Sequence, residues 1–242
     1  MQPLTPEKLL AVWEAGQPQH PLDRALTLLI AATPGASRDA LADLSIGERD
    51  ARLLQLRTLV LGSRAEGFAE CPQCTERIEF PFDTGAFTPH PEGRSPAFAV
   101  NGLRSGEPPR PANGSSGLRP PTSRDLALVV AAEDEEQALR ILLKRCGARS
   151  DLPNDAIEAA SCALLEANPQ AEITLDLECP GCAHRWELLF DIAEFFWTEI
   201  SAQAQRLLRE IDTLARAYGW TEREILGLSA QRRQTYLEFL AA

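Results

Sequence analysis

Glu70-Cys71-Pro72-Gln73-Cys74-Thr75 and Glu178-Cys179-Pro180-Gly181-Cys182-Ala183 decide how the chain is read. Each is a Cys-Pro-x-Cys pair set between two strand-like runs. Phe68-Ala69-Glu70 enters the first pair, and Thr75-Glu76-Arg77-Ile78-Glu79-Phe80 leaves it. Ile173 to Glu178 enters the second, and Ala183-His184-Arg185-Trp186-Glu187-Leu188-Leu189-Phe190 leaves it. Such a turn at the tip of a hairpin aims both sulfurs and nearby backbone N–H groups at one centre. Two tips together supply the four thiolates of a tetrahedral structural zinc site. Cys71, Cys74, Cys179 and Cys182 are therefore expected to hold one structural Zn2+ and to close a single ribbon across the intervening chain.

Cys-Pro-x-Cys also occurs in thiol oxidoreductases. Those enzymes place the reactive thiol at a helix N-terminus after a strand, in a βαβ setting. Here Arg77-Ile78-Glu79-Phe80 and Arg185-Trp186-Glu187-Leu188 read as strands after the pairs, so a thiol-disulfide oxidoreductase is the lesser alternative. Four thiolate ligands also leave no open position for a substrate, which disfavours catalytic zinc. His184, two residues past Cys182, is expected on the knuckle surface or as a hydrogen-bond partner of the ligands. His20 and His90 flank prolines far from any acid–base partner. Gly-rich phosphate loops, Gly-x-Ser-x-Gly elbows and His-Glu-x-x-His are absent from the sequence. The expectation is a non-enzyme.

Composition bounds the rest. The 242 residues suffice for a real core, and a 44% apolar content is that of a globular chain. A net charge of −11, from 24 basic and 35 acidic side chains, argues against a broad phosphate-contacting surface. Arg and Glu are interspersed and no basic run stands out. No apolar stretch approaches a bilayer span, and Met1 to Glu7 lacks the regions of a signal peptide. The six cysteines are thus expected in a reducing cytoplasm, with Cys146 and Cys162 as small buried hydrophobes on helices.

Along the chain, Thr5-Pro6-Glu7 starts a helix that Gly16 ends, and His20-Pro21 opens a second that Thr33-Pro34-Gly35 breaks. Ser45-Ile46-Gly47-Glu48 is a capping box for a helix presenting Leu53, Leu56, Leu59 and Val60, stopped at Gly62. Residues 86–121 change texture, with eight prolines and no sustained period. Ala97 to Val100 and Leu118-Arg119 are expected as short strands around a flexible loop from Ser105 to Gly117. Helical patterns then run to about Val130, from Asp134 to Arg145 and from Pro153 to Ala167. The matched surroundings of the two knuckles suggest an internal duplication.

After Asp191, Ile192, Phe196, Ile200, Ala204, Leu207, Ile211, Leu214 and Tyr218 form one apolar stripe. It belongs to a helix of about seven turns. Thr221-Glu222-Arg223-Glu224 is another capping box, and a last helix faces Tyr236, Leu237 and Leu240 inward. The expected fold is α+β: mostly helical, with two β-hairpin zinc knuckles forming a four-cysteine zinc ribbon and a C-terminal long-helix hairpin. The expected segments are 1–62 (helical), 63–191 (the zinc-ribbon module) and 192–242 (a C-terminal helical arm). The zinc-ribbon module carries an inserted loop at 86–121 and helices at 122–168. The arm is expected to pack on the zinc module, with partner binding as the sharper alternative.

Three stretches resemble tail-assembly proteins of contractile phages and related injection systems. Leu44-Ser45-Ile46-Gly47-Glu48-Arg49-Asp50-Ala51-Arg52-Leu53-Leu54-Gln55-Leu56-Arg57 resembles the "IGxRD…LLxLR" segment of the T-even-type phage baseplate assembly family. Leu118-Arg119-Pro120-Pro121-Thr122-Ser123-Arg124-Asp125-Leu126 leads to Leu142-Leu143-Lys144-Arg145-Cys146. This is similar to the "RxPTxxDL…LLxRC" pattern of zinc-ribbon relatives in phage-like gene clusters. Tyr218-Gly219-Trp220 to Leu226, with Ser229, Arg232, Arg233 and Tyr236, resembles a "YGWxExEIxxLSxxRRxxYL" ending of phage tail proteins. Thr75 and Ala183 depart from the pattern, standing where a knuckle commonly has glycine, often with φ > 0. The resemblance implies an assembly factor or minor baseplate component that holds baseplate or tail-hub proteins. Exposed Trp220, Arg232 and Arg233 are the expected partner contacts, because Trp and Arg are favoured at binding hot spots, with a plug over the preceding helix end as the alternative for Trp220. A zinc-ribbon nucleic-acid-binding or transcription-associated adaptor is the alternative, which the acidic balance disfavours.

Overall fold

A computed structural model describes residues 1–87, 118–149, 153–168 and 171–241 of the chain. Four helices come first, each with a cap that its sequence supplies. The Thr5 hydroxyl accepts from the Lys8 N–H to start α1 (Pro6–Gly16), and the His20 imidazole Nδ1 accepts from Leu22 N–H to start α2 (Pro21–Ala32). Ser37 caps a short α3 (Arg38–Ala42), too brief to announce itself by an apolar period. In α4 (Ile46–Leu61), Ser45 Oγ accepts from Glu48 N–H while the Glu48 carboxylate accepts from Ser45 N–H. Gly62, at φ +87°, ends α4, a backbone that only glycine adopts without strain.

Two hairpins follow, separated in sequence by a helical insertion. Strands β1 (Arg64–Glu70) and β2 (Arg77–Asp83) pair antiparallel, with Phe68 opposite Glu79 and Gly67 opposite Phe80. Helices α5 (Ser123–Val129), α6 (Glu135–Arg145) and α7 (Asn154–Ala167) intervene. Strands β3 (Thr174–Glu178) and β4 (Arg185–Leu189) then form the second antiparallel hairpin. The hairpins are two separate two-stranded sheets, so the ribbon is joined at its tips and not by a shared ladder. The chain ends in α8 (Ile192–Tyr218), α9 (Glu222–Leu226) and α10 (Ala230–Ala241). The fold is α+β and mostly helical, with two small hairpins and a long C-terminal helix.

The spine of the molecule is α8. Seven of its eight predicted stripe residues, Ile192 through Leu214, are buried. They join one core with Leu9 and Leu10 of α1, Leu28 and Leu29 of α2, Leu53 and Leu56 of α4, and Phe80 and Phe82 of β2. Leu175 and Leu177 of β3 and Ile225 of α9 belong to the same core, so all three sequence segments contribute to it. Thus α8 packs against the N-terminal helices, with α9 and α10 folded back on it. Closeness at the α1–α8 crossing depends on Gly16, where an added Cβ would lie 2.4 Å from a ring carbon of Trp197. The insertion has its own small core of Leu143, Cys146, Ile157 and Leu164.

Several expectations fail on exposure. Helical period places Leu59 and Leu240 inward, but they lie 51% and 43% exposed. Leu59 lies off the face that Leu53, Leu56 and Arg57 bury, and Leu240 sits in the last turn of α10. Cys162 is exposed while Cys146 is buried, because α7 turns Ile157 and Leu164 to the small core instead. Leu118-Arg119 is not a strand; the Arg119 N–H bonds to the Cys146 carbonyl (2.9 Å). The expected strand at 97–100 and the loop at 105–117 lie outside the described residues.

Candidate metal centre

Each knuckle repeats one hydrogen-bond frame. In the first, Cys71 N–H donates to Glu76 O and Thr75 N–H to Cys71 O, both at 2.9 Å. In the second, Cys179 N–H donates to His184 O and Ala183 N–H to Cys179 O, again at 2.9 Å. The frame forces the residue after the second cysteine into the left-handed region. Thr75 is at φ +59° and Ala183 at φ +57°, the two non-glycine residues with positive φ among those described. Strain at these matched positions is therefore built into both tips.

The frames bring the four sulfurs together. Cys71 Sγ lies 3.7 Å from Cys182 Sγ, and Cys74 Sγ lies 3.5 Å from Cys179 Sγ. All four ligand atoms fall within 4.8 Å of one another, although the hairpins are 105 residues apart at Cys74 and Cys179. Thiolates bound at about 2.3 Å to one tetrahedral ion stand about 3.8 Å apart, close to the two shortest separations here, so the set can hold such an ion. Cys71 and Cys179 are buried, while Cys74 and Cys182 face outward.

Protonation is uneven across the cluster. Burial opposes ionisation of Cys71, but the backbone N–H groups of Cys74 and Gln73 outweigh it and draw the thiol down to about 7. The Glu76 N–H favours the Cys74 thiolate, yet the neighbouring Cys182 and Cys179 sulfurs push that thiol up to about 12. Four sulfurs this close cannot all be anionic unless a cation offsets them. Cys146 differs: burial pushes its thiol up, as suits an inert packing residue.

Around the cluster, His184 stacks on Trp186 at 6.0 Å between ring centroids. A Cβ on Gly181 would fall 2.0 Å from Glu76 Oε2, so the glycine makes room for a side chain of the opposite knuckle. Trp220, Arg232 and Arg233 lie elsewhere, on the C-terminal helices. Trp220 is half-buried, stacked on Tyr218 (4.6 Å) and edge-on to Tyr236 (4.8 Å). Arg232 is exposed. Arg233 corrects the expectation of an exposed contact: it is buried, its Nε donating to Glu210 (3.0 Å) and its Nη1 to Leu228 O (2.8 Å). The partner that buries it is an acid of α8 outside its own helix.

Compared with family models, curated proteins and solved structures, the chain matches none.

The three resembling stretches fall on internal junctions. Arg57, the last residue of the first, is almost fully buried and uses every guanidinium nitrogen. It reaches both oxygens of Glu199, Gly62 O, Arg64 O and Thr84 Oγ1. Arg49 pairs with Asp50 (2.7 Å) and reaches Ser123 Oγ (3.5 Å). In the second stretch, Asp125 is fully buried, accepting from both Nη atoms of Arg119, from Arg145 Nε, and from the N–H and hydroxyl of Thr122. Ile46 N–H donates to Pro121 O (2.9 Å), tying the first stretch to the second. Sequence reasoning assigns Arg57 and Asp125 no role beyond their motifs, since their partners are remote or context-dependent.

Proposed function

We propose that this protein is a non-catalytic assembly factor or minor structural component of a phage-like contractile tail baseplate, stabilised by one structural zinc ion. The cluster of four thiols carries the metal half of this reading. A four-sulfur tetrahedral set suits zinc, and filling all four positions with protein ligands makes the site structural. When bound, the ion supplies a cross-link between the two hairpin tips. Cys71 and Cys74 anchor the first tip, Cys179 and Cys182 the second, and the backbone N–H groups of Gln73 and Cys74 stabilise the Cys71 thiolate.

The assembly half rests on the resemblance of the three stretches and is supported by how their residues are used. Arg49, Arg57, Asp125 and Arg233 are buried and hydrogen-bond inside the chain, and Arg145 reaches in to Asp125. These motifs preserve a frame, and function then falls to the surfaces that the frame presents. Two measurements test the proposal. Elemental analysis of the purified chain should give one zinc per molecule; iron in its place would overturn the zinc assignment. Co-expression with the tail proteins of a phage-like gene cluster should give co-purification with baseplate or hub proteins. Failure to bind any tail protein would overturn the assembly role.

A further inference from the structure

The outer face of the first hairpin holds an apolar residue that the fold does not use. In β1 and β2 the alternation is strict: Ala65, Ile78, Phe80 and Phe82 turn into the core, while Arg64, Glu66, Phe68, Glu70, Arg77, Glu79, Pro81 and Asp83 turn out. A period-two strand normally keeps its outer positions polar. Phe68 departs from that rule and is 70% exposed, at mid-strand. Its neighbours on the outer face are Glu66 and Glu70 on its own strand, Glu79 directly opposite, and Pro81 and Arg77 diagonally across, with Arg77 opposite Glu70. Among the described residues no ion pair engages these three carboxylates.

The second hairpin repeats the design. Leu189 is 62% exposed at the end of β4, and Asp176 stands directly opposite Glu187. Like charges at directly opposed positions destabilise a sheet. Both outer faces carry an uncovered apolar side chain among more acids than arginines, four to two on the first (Glu66, Glu70, Glu79, Asp83 against Arg64, Arg77) and three to one on the second (Asp176, Glu178, Glu187 against Arg185). Burying a phenyl ring this exposed under a partner removes apolar surface from water and favours association. Arg77 offsets part of this charge, and the remaining carboxylates favour a partner with a cationic rim.

We infer that the outer face of the β1–β2 hairpin is a docking surface for a basic protein partner. Phe68 is its apolar anchor, and Glu66, Glu70 and Glu79 are the receptors for arginine or lysine side chains. The inference goes beyond the assembly role and holds whether or not the partner belongs to a tail particle.

The test uses the full metal-bound chain and a fluorescent peptide that alternates arginine and leucine, with a glutamate–leucine peptide as control. The arginine peptide should bind saturably and more weakly as salt rises, and the control should not bind. Phe68→Ser and Glu79→Lys should each weaken binding about tenfold or more, as expected of a hot spot. Both positions are exposed, so helical content and metal stoichiometry should match the parent chain. Absence of saturable binding would overturn the inference. So would undiminished binding by Phe68→Ser, which would reduce the effect to diffuse attraction by net charge. Self-association in sedimentation that is lost in Phe68→Ser would overturn it in favour of a second copy of this chain.

Discussion

Arg57 of α4 and Glu199 of α8, 142 residues apart, form a two-pronged ion pair at 2.7 and 3.0 Å. The arginine side chain is 2% exposed and the glutamate 23%. The same guanidinium holds the carbonyls of Gly62 and Arg64, where the chain leaves α4 and enters β1. Helix packing and the placement of the first hairpin thus depend on one side chain. Glu199→Ala should cost about 2–4 kcal/mol, tempered by the glutamate's partial exposure, because it strands a buried cation. Arg57→Lys should not rescue the site, since an ammonium cannot span both oxygens and both carbonyls. Urea unfolding of the two variants checks both expectations.

Removing one sulfur should remove the metal. Cys71→Ser and Cys179→Ser come from different hairpins, and each should abolish stoichiometric metal binding and lower the melting temperature. Metal binding free energy at such a site is folding free energy. A strong chelator should reproduce the loss in the parent chain and leave Cys71→Ser unchanged. Retention of full metal after either substitution would mean that the two pairs do not share a site.

Acid should weaken the junction of the inserted helices. The paired guanidinium of Arg119 holds the Asp125 carboxyl well below the usual carboxylate range, against the opposing effect of burial. A depressed folded-state value stabilises above the unfolded value of about 3.9 and is lost as pH falls below it. Amides of α5 and α6 should therefore lose exchange protection as pH drops from about 4 toward 2. Asp125→Asn should be less stable at neutral pH and show a flatter profile across that acid window.

At the α1–α8 crossing, Gly16→Ala should destabilise by about 1–3 kcal/mol, the usual cost of overpacking. The added methyl meets the Trp197 ring, so its fluorescence in the native state should shift as well. Pairing the change with Trp197→Phe, which shortens the ring, should recover part of the loss.

Ala183→Gly offers a gain. Ala183 sits at φ +57°, where a β-carbon costs about 1–2 kcal/mol. Glycine removes that strain but loosens the unfolded chain by about 0.4–1 kcal/mol. A small net rise in melting temperature with unchanged metal content is expected. Thr75 is a poorer test, because its hydroxyl donates to Cys74 O.

What the sequence determined alone was carried by local chemistry. The caps at Thr5, His20, Ser45 and Thr221 form where their motifs stand, because each uses atoms only two or three residues away. The stripe of α8 and the cysteine tips are legible for the same reason: a helix face and a four-residue turn are short-range periodicities. The paired cysteine spacing also foretells that the two tips share a centre, and the four sulfurs do meet there. Tertiary structure decided the rest. That α8 is the spine of the N-terminal helices, that Arg57 finds Glu199, and that Arg233 is buried against Glu210 all depend on contacts between distant segments. An arginine reads as a surface charge until the fold supplies an acid and a set of carbonyls. Phe68 is the converse: its alternation places it on the outer face, but only the packed hairpin leaves it uncovered there.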